Sequence, residues 1–193
     1  MKATLPTGTG LLKWTLPAVT VASLLPLAIH GMDSEAIHLF LRATARLSGI
    51  LFLVPFTASP LHRLAKRSTT RWLVRERRSF GLTFAVAHGW HAVAVALFLT
   101  VLDEPVSALT RFGGTLGFVA TAALAATSND RAVRVLGRGW RKLHLAGSYY
   151  LWLIFAFTGG GAAFAGGRPG TVALAGLMAA GLGLRLAGRR RRS

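Results

Sequence analysis

The sequence predicts an all-α integral membrane protein, a six-transmembrane-helix bundle with its N- and C-termini on the cytoplasmic side. Of the 193 residues, 52% are hydrophobic and 15% are charged, which is typical of a membrane domain. The apolar residues form runs close to the roughly 20 residues that cross a bilayer. The net charge of +17 lies mostly in the short segments between those runs. That distribution indicates orientation in a lipid bilayer and no nucleic-acid partner.

We expect a single transmembrane domain over residues 1–193. Its predicted spans cover about 11–29, 47–61, 79–102, 109–127, 143–158 and 171–187, and a basic C-terminal tail covers 188–193. The first apolar run is too long for a signal-peptide core, so we expect an uncleaved span. The segment from His30 to Arg46 contains Asp33 and Glu35 and is expected outside the membrane. The second span is therefore short.

The third span has the clearest boundaries. Arg77 and Arg78 precede it, Asp103 follows it, and no acidic residue, lysine or arginine occurs between Ser79 and Leu102. His88 and His91 lie inside it on one helix face. At about 1.5 Å per residue, His91 lies roughly 17 Å from the start of the span, near the bilayer midplane. Because ionisable side chains are costly at that depth, the histidines predict a site inside the bundle.

The remaining spans alternate with basic segments. The segments 63–78 and 128–142 and both termini are assigned to the cytoplasm, which leaves on the outer side only Arg42, Arg46, Arg111 and Arg168. The fourth span follows Pro105, and the fifth ends in a glycine-rich segment, 159–167. The alternation predicts a multi-pass protein with both ends inside.

Several kinds of chemistry are excluded by composition. The chain has no cysteine, so it carries no disulfide, iron–sulfur cluster or covalent haem attachment. Any metal chemistry must therefore rest on histidine. No dinucleotide-binding fingerprint occurs and no loop is long enough for a nucleotide-binding domain. If the protein transfers electrons, another molecule must donate them.

Two motifs carry a family resemblance: Arg77-Arg78-x-x-Gly81-Leu82 followed by His91, and Leu136-Gly137-Arg138-x-Trp140-x-x-Leu143-His144. Together they resemble the ferric reductase-like transmembrane domain family, and within it the haem-binding membrane subunits of methionine sulfoxide reductase systems. The resemblance covers spans two to five. It implies one or two b-type haems in the inner membrane. It also implies electrons from a cytoplasmic flavin reductase, with FMN, or from a quinone, passed to a redox partner on the outer side.

The chain departs from the family pattern at one position. The family carries a second histidine in the fifth span, about thirteen residues after the residue that matches His144. Here that position is Phe157. His144 is a poor substitute, because it lies about 3 Å into its helix whereas His91 lies about 17 Å into its own. Two axial ligands of one iron must lie at the same depth.

The candidate ligands are therefore ranked with alternatives open. His91 is the first expected axial ligand of haem iron and His144 the second, with His88 as the replacement if the usual pairing has been lost. His62 shares the inner depth of His144 and could complete an inner haem there. In the alternative interpretation, His88 and His91 are polar contacts between helices, satisfied by serine, threonine or carbonyl groups.

Three functions follow from these readings. The first is a membrane haem protein that relays electrons outward and binds a cytoplasmic donor through its basic segments. The second is a diverged scaffold or partner subunit that kept the fold without haem. The third is a small transporter or a proton path that uses the midplane histidines.

Overall fold

The computed structural model describes residues 6–164 and 168–190, and within those ranges the chain forms helices and connecting segments without β-strands. The helices are α1 (Thr9–His30), α2 (Ser34–Leu64), α3 (Ser68–Arg75), α4 (Arg77–Val101), α5 (Ala108–Ala126), α6 (Asp130–Leu136), α7 (Arg138–Phe164) and α8 (Pro169–Arg190). Residues 1–5, part of the glycine-rich segment (165–167) and the end of the predicted tail (191–193) lie outside the described residues.

Five helices, α1, α2, α4, α5 and α8, are long and apolar enough to cross a membrane. The 27-residue helix α7 occupies the place of the predicted fifth span. All of these helices exceed or match the lengths expected from the sequence. The short helices α3 and α6 lie within the two basic segments at one end of the bundle, which we call the basic end. The α1–α2 and α4–α5 connections lie at the opposite end.

Helix α2 begins earlier than the predicted second span. The Asp33 carboxylate accepts a hydrogen bond of 2.7 Å from the Ala36 amide and caps a helix of 31 residues. Most of the segment expected outside the membrane is therefore the first part of α2. Its buried residues Ile37, Phe40, Thr44 and Ser48 recur at helical spacing, so this polar-looking segment has a continuous face against the bundle.

Helix α2 is also the centre of the fold, since it packs against α1, α3, α4 and α8, most extensively against α4. An apolar cluster joins α2, α4, α7 and α8; it consists of Phe52, Phe56, Phe84, Leu151, Phe155, Leu174 and Met178. Mid-depth tryptophans link neighbouring helices. The Trp90 indole donates to Thr20 Oγ1 at 3.3 Å, and the Trp152 indole donates to the Met178 carbonyl at 2.9 Å.

The start of α1 is tied to the basic end. The buried Glu76 carboxylate accepts a 2.7 Å hydrogen bond from the Gly8 amide, and the Trp72 indole donates to the Pro6 carbonyl at 2.9 Å. Trp72 also packs edge-on against Phe80, with ring centroids 5.5 Å apart. These contacts hold α3 across the ends of α1 and α4.

Candidate functional site

His91 projects from α4 towards α2, where its Nδ1 lies 3.1 Å from Thr44 Oγ1. The Thr44 hydroxyl has one proton, and it lies 2.8 Å from the Phe40 carbonyl, to which it donates. The hydroxyl oxygen is therefore the acceptor for His91, and the imidazole carries its proton on Nδ1. This assignment leaves the lone pair of His91 on Nε2.

His88 repeats the arrangement one helical turn away. Its Nδ1 lies 3.5 Å from Ser48 Oγ, and the Ser48 hydroxyl donates to the Ala45 carbonyl at 3.1 Å. The same reasoning puts the proton of His88 on Nδ1 and its lone pair on Nε2. At 3.5 Å this hydrogen bond is long, so the hydroxyl orients His88 less firmly than Thr44 orients His91.

Aromatic rings surround the two imidazoles. The His88 ring centroid lies 5.3 Å from that of Phe84, 4.8 Å from Phe118 and 5.4 Å from Phe155, and the His91 ring lies 5.6 Å from the His88 ring. In the described ranges, no group of three or more His, Cys, Asp or Glu could hold a bare metal ion. The site therefore offers single neutral imidazoles in apolar surroundings. Such donors suit a metal ion that is already coordinated by a flat organic ligand.

An apolar groove of about 530 Å³ opens beside His88. Helices α1, α4 and α5 form its walls, with Leu12, Leu16, Val86, Phe118 and Ala122 among the lining residues. Among the described residues that line the groove, His88 is the one with an ionisable side chain. We call this region, with His88, His91, Thr44 and Ser48, the midplane site.

His144 lies at the basic end, half-buried at the start of α7. Its Nε2 lies 3.0 Å from Thr127 Oγ1, whose hydroxyl donates to the Ala123 carbonyl at 2.7 Å. His144 therefore carries its proton on Nε2 and its lone pair on Nδ1, the reverse of the midplane histidines. The Trp140 ring stacks on His144 with centroids 4.1 Å apart, and its indole donates to the Thr127 carbonyl at 2.9 Å.

His144 lines a cavity of about 480 Å³ between α4, α5 and α7, which we call the inner cavity. Its apolar walls include Phe52, Phe56, Phe84 and Leu151. Five arginines also line it: Arg75, Arg77, Arg78, Arg141 and Arg185. A cavity with an apolar interior and a cationic margin suits a flat apolar molecule that carries carboxylate groups.

The structure does not bring His62 and His144 together at this cavity. His62 Nδ1 lies 3.0 Å from Thr70 Oγ1, and that hydroxyl donates to the Ala65 carbonyl at 2.7 Å. His62 thus joins the end of α2 to α3. It is not among the residues that line the inner cavity.

Phe157, the position expected from the resemblance to carry a second histidine, is 54% exposed. The α7 side chain that meets His88 is Phe155, which is 5% exposed. Sequence reasoning also missed Thr44 and Ser48. The segment with Thr44 was expected outside the membrane, and Ser48 was placed in the short second span without a role. The available signal was the spacing of Ile37, Phe40, Thr44 and Ser48 on one helix face.

Comparison with curated proteins finds several similar chains. Over 145 residues, the chain is 36% identical to the protein-methionine-sulfoxide reductase haem-binding subunit MsrQ of Bordetella pertussis, Bordetella parapertussis and Bordetella bronchiseptica. Each match covers 67% of this chain and 68% of the relative. No protein-family model matches the chain. No solved structure matches it.

Proposed function

This chain belongs to the family of haem-binding subunits of protein-methionine-sulfoxide reductase, and from that premise we propose that it is a multi-pass inner-membrane protein that binds b-type haem and relays electrons outward. The relatives are named as haem-binding, and the absence of cysteine here leaves non-covalent attachment as the way to hold haem. The proposed topology has six spans with both ends in the cytoplasm, which places the basic end inside.

One observation carries the proposal: the Nδ1 atom of each midplane histidine lies within 3.5 Å of a hydroxyl of α2 that can accept its proton, an orientation that would leave Nε2 for a ligand. A metal-ligating histidine commonly donates its other ring N–H to a neighbouring acceptor, which fixes its tautomer and orientation. Thr44 and Ser48 are in position to do this for His91 and His88. The surrounding phenylalanines and the apolar groove suit a porphyrin face. These residues fit the group that the family binds.

The proposed ligands are His91 first and His88 as its replacement at the midplane, with His144 in the inner cavity. One haem at the midplane is the minimum, and the inner cavity fits a second, because its arginines would neutralise the propionates. His62 remains a weaker candidate, since it bonds Thr70 outside the lining of that cavity.

A bound haem supplies a centre that accepts and releases one electron at a time. The chain's own residues have other tasks. Thr44 holds the His91 proton on Nδ1, Phe84 and Phe155 exclude water, and α2 fixes the direction of both rings. A dry surround and the ligand set are the means by which a protein tunes the potential of such a centre.

The donor proposed for the basic end is a cytoplasmic flavin reductase, with FMN, or a quinone, and the acceptor is a redox partner on the outer side. The exposed arginines of α3 and α6 support this: Arg71, Arg75, Arg131 and Arg134. A positively charged surface attracts an acidic partner. At physiological ionic strength, dissolved salt screens this attraction at distances beyond about 8 Å. Raising the salt concentration should slow reduction by a soluble acidic donor. An unchanged rate would remove the role of this surface.

Electron relay can be measured in sealed liposomes. The haem-loaded protein is reconstituted with ferricyanide trapped inside and dithionite added outside. We expect the wild type to reduce the trapped ferricyanide much faster than liposomes that contain the His88→Ala/His91→Ala variant. Equal rates for the two preparations would contradict the relay. A liposome leak test with a trapped dye serves as the control.

One observation favours the second candidate function, a scaffold without haem. Phe155 stands where the described part of α7 would have to present a second ligand to the midplane site, and the position expected from the family to carry that ligand is the exposed Phe157. A colourless protein from haem-replete cells, with normal helix content, would support that function over the relay.

A further inference from the structure

At the basic end, on the α8 side of the bundle, we propose a binding site for the phosphate group of an anionic phospholipid, formed by Arg63, Tyr149 and Arg185 with Arg189 at its margin. The site joins the end of α2, the first half of α7 and the end of α8. It is separate from the midplane site. Only Arg185 is shared with the lining of the inner cavity.

Aromatic rings hold the Arg185 guanidinium in place. Its central carbon lies 4.2 Å from the Phe56 ring centroid and 4.6 Å from the Tyr149 ring centroid. The Arg189 guanidinium lies 5.6 Å from the same tyrosine ring. Stacking of this kind stabilises a cation and leaves the in-plane N–H groups free to donate. Arg185 is therefore oriented before any anion arrives.

Three donors of the site are buried and lack a hydrogen-bond partner among the described residues: Arg63 Nε, Arg185 Nη1 and the Tyr149 hydroxyl. Buried donors without an acceptor are rare in folded proteins, because each one loses its hydrogen bonds to water. Here they come from three different helices. Their convergence indicates an acceptor that the described part of the chain does not supply.

The backbone packing explains why Arg63 reaches this place. Gly188 on α8 has no side chain, and a Cβ built there would lie 3.0 Å from Pro60 Cβ and 3.1 Å from Pro60 Cα. The same point lies 3.4 Å from Arg63 Nε. The close approach of α2 and α8 thus holds Arg63 against the last turns of α8. Arg63, Arg77 and Arg189 all lie near enough to Arg185 to repel it.

No aspartate or glutamate side chain balances this cluster. The chain has six acidic residues, and only Glu76 and Asp130 lie at the basic end. Arg75 contacts Glu76 at 3.3 Å, and Arg78 contacts Asp130 at 3.1 Å. The other four, Asp33, Glu35, Asp103 and Glu104, lie at the opposite end, roughly 45 Å away along a helix of 31 residues. An external anion would offset the repulsion among these arginines.

The position of the site favours a lipid phosphate as that anion. Arg63 and Arg185 lie near the ends of two candidate membrane spans, α2 and α8, where lipid headgroups are found. Guanidinium groups bind phosphate with paired hydrogen bonds, and basic pockets between spanning helices are a known form of anionic lipid site. A soluble phosphate ester shares this chemistry. The carboxylate of a haem propionate is the competing anion for this site.

Native mass spectrometry of the full chain in mild detergent tests the site. Phosphatidylglycerol is titrated in, and phosphatidylcholine with the same acyl chains serves as the uncharged reference. We expect Arg63→Gln/Arg185→Gln to weaken retention of phosphatidylglycerol by roughly tenfold or more, with phosphatidylcholine unaffected, because charged hydrogen bonds are lost. The matched control is Arg131→Gln/Arg134→Gln, which removes the same charge from exposed residues of α6. It should retain the wild-type affinity.

Two further variants keep the test valid if the double variant does not fold. Tyr149→Phe removes only the hydroxyl and should weaken phosphatidylglycerol binding severalfold. Arg185→Lys should keep part of the phosphatidylglycerol binding that Arg185→Gln loses. Unchanged phosphatidylglycerol binding in the double variant, or an equal loss in the control, would overturn the proposal. Displacement of the lipid by equimolar glycerol 3-phosphate would show that the site binds a soluble phosphate ester and would contradict a lipid ligand. Loss of haem with lipid binding intact would assign the arginines to propionates instead.

Discussion

The midplane site and the basic end both contain histidine, but they surround it differently. At the midplane, His88 and His91 meet hydroxyls on Nδ1 and aromatic rings elsewhere. At the basic end, His144 meets a hydroxyl on Nε2, a tryptophan face and a cavity rich in arginine. The midplane arrangement leaves Nε2, the second ring nitrogen, to a ligand in apolar surroundings. The second provides positive charge near water.

The difference indicates a division of tasks. A ligand atom deep in a membrane must be neutral and fixed by its neighbours, because charge is costly there. An anionic group, in contrast, needs cations at the membrane surface. We therefore expect the midplane site to govern ligation and the basic end to govern the binding of anionic groups and of a donor. Substitutions at the two places should have separable effects.

The largest effect of a residue that does not itself ligate is expected at Thr44. Thr44→Val keeps the shape but removes the acceptor for His91 Nδ1, so the imidazole loses its fixed tautomer. Such partners of metal ligands are typically worth about 10- to 100-fold in metal affinity. We expect a loss of haem affinity in that range, measured by haem titration of the purified apoprotein. Thr44→Ser keeps the hydroxyl and should bind like the wild type; equal losses in both variants would exclude the tautomer role.

A gain in haem ligation, comparable in size to that loss, is expected at Phe155. A histidine there would lie beside His88, so Phe155→His should convert the haem spectrum towards two-histidine, six-coordinate ligation. Phe157→His should not, because position 157 faces away from the bundle. Electron paramagnetic resonance of the oxidised protein distinguishes the two states. A six-coordinate signal from Phe157→His alone would show that α7 is rotated from the position described.

A smaller effect, on stability, is expected where α2 and α8 meet. Gly188→Ala puts a methyl group 3.0 Å from Pro60 Cβ, whereas Gly183→Ala meets nothing within 4 Å. Overpacking of this kind costs about 1–3 kcal/mol. We expect Gly188→Ala to be less stable than Gly183→Ala by that amount in thermal unfolding. Haem binding at the midplane should be retained in both, and a parallel loss of haem would mean that the two regions are not separable.

The smallest effect is expected at Ser48. Its contact with His88 is 3.5 Å long, so Ser48→Ala should weaken haem binding by only a few fold, roughly the value of a weak hydrogen bond. The same titration measures it. A loss as large as that of Thr44→Val would make His88, and not His91, the principal ligand.

Much of the fold could be predicted from the sequence where charge marks the ends of a span. Helix α4 runs from Arg77 to Val101, close to the predicted 79–102, because basic residues precede it and acidic residues follow it. The start of α2 could not be predicted in this way. Its Arg42, Thr44 and Arg46 look extramembrane by composition, and only packing shows that Thr44 faces α4.

The site was harder to predict than the fold. His88 and His91 were identifiable because an ionisable pair in an apolar span is unusual. The hydroxyl partners of these histidines depend on which face of α2 packs against α4, and a single sequence does not determine that face. The α7 residue that faces the histidines depends on the rotation of α7 about its own axis. Positions 155 and 157 differ by about 200° around the helix, so an offset of two residues moves a side chain from the core to the surface.

The most direct test of this account is the haem content per chain of the purified protein, read with its dithionite-reduced absorption spectrum, for the wild type, His88→Ala/His91→Ala and His144→Ala. We predict haem in the wild type, its loss from the midplane double variant, and at least partial retention in His144→Ala. Haem content unchanged in the double variant would contradict the assignment of the midplane histidines as ligands.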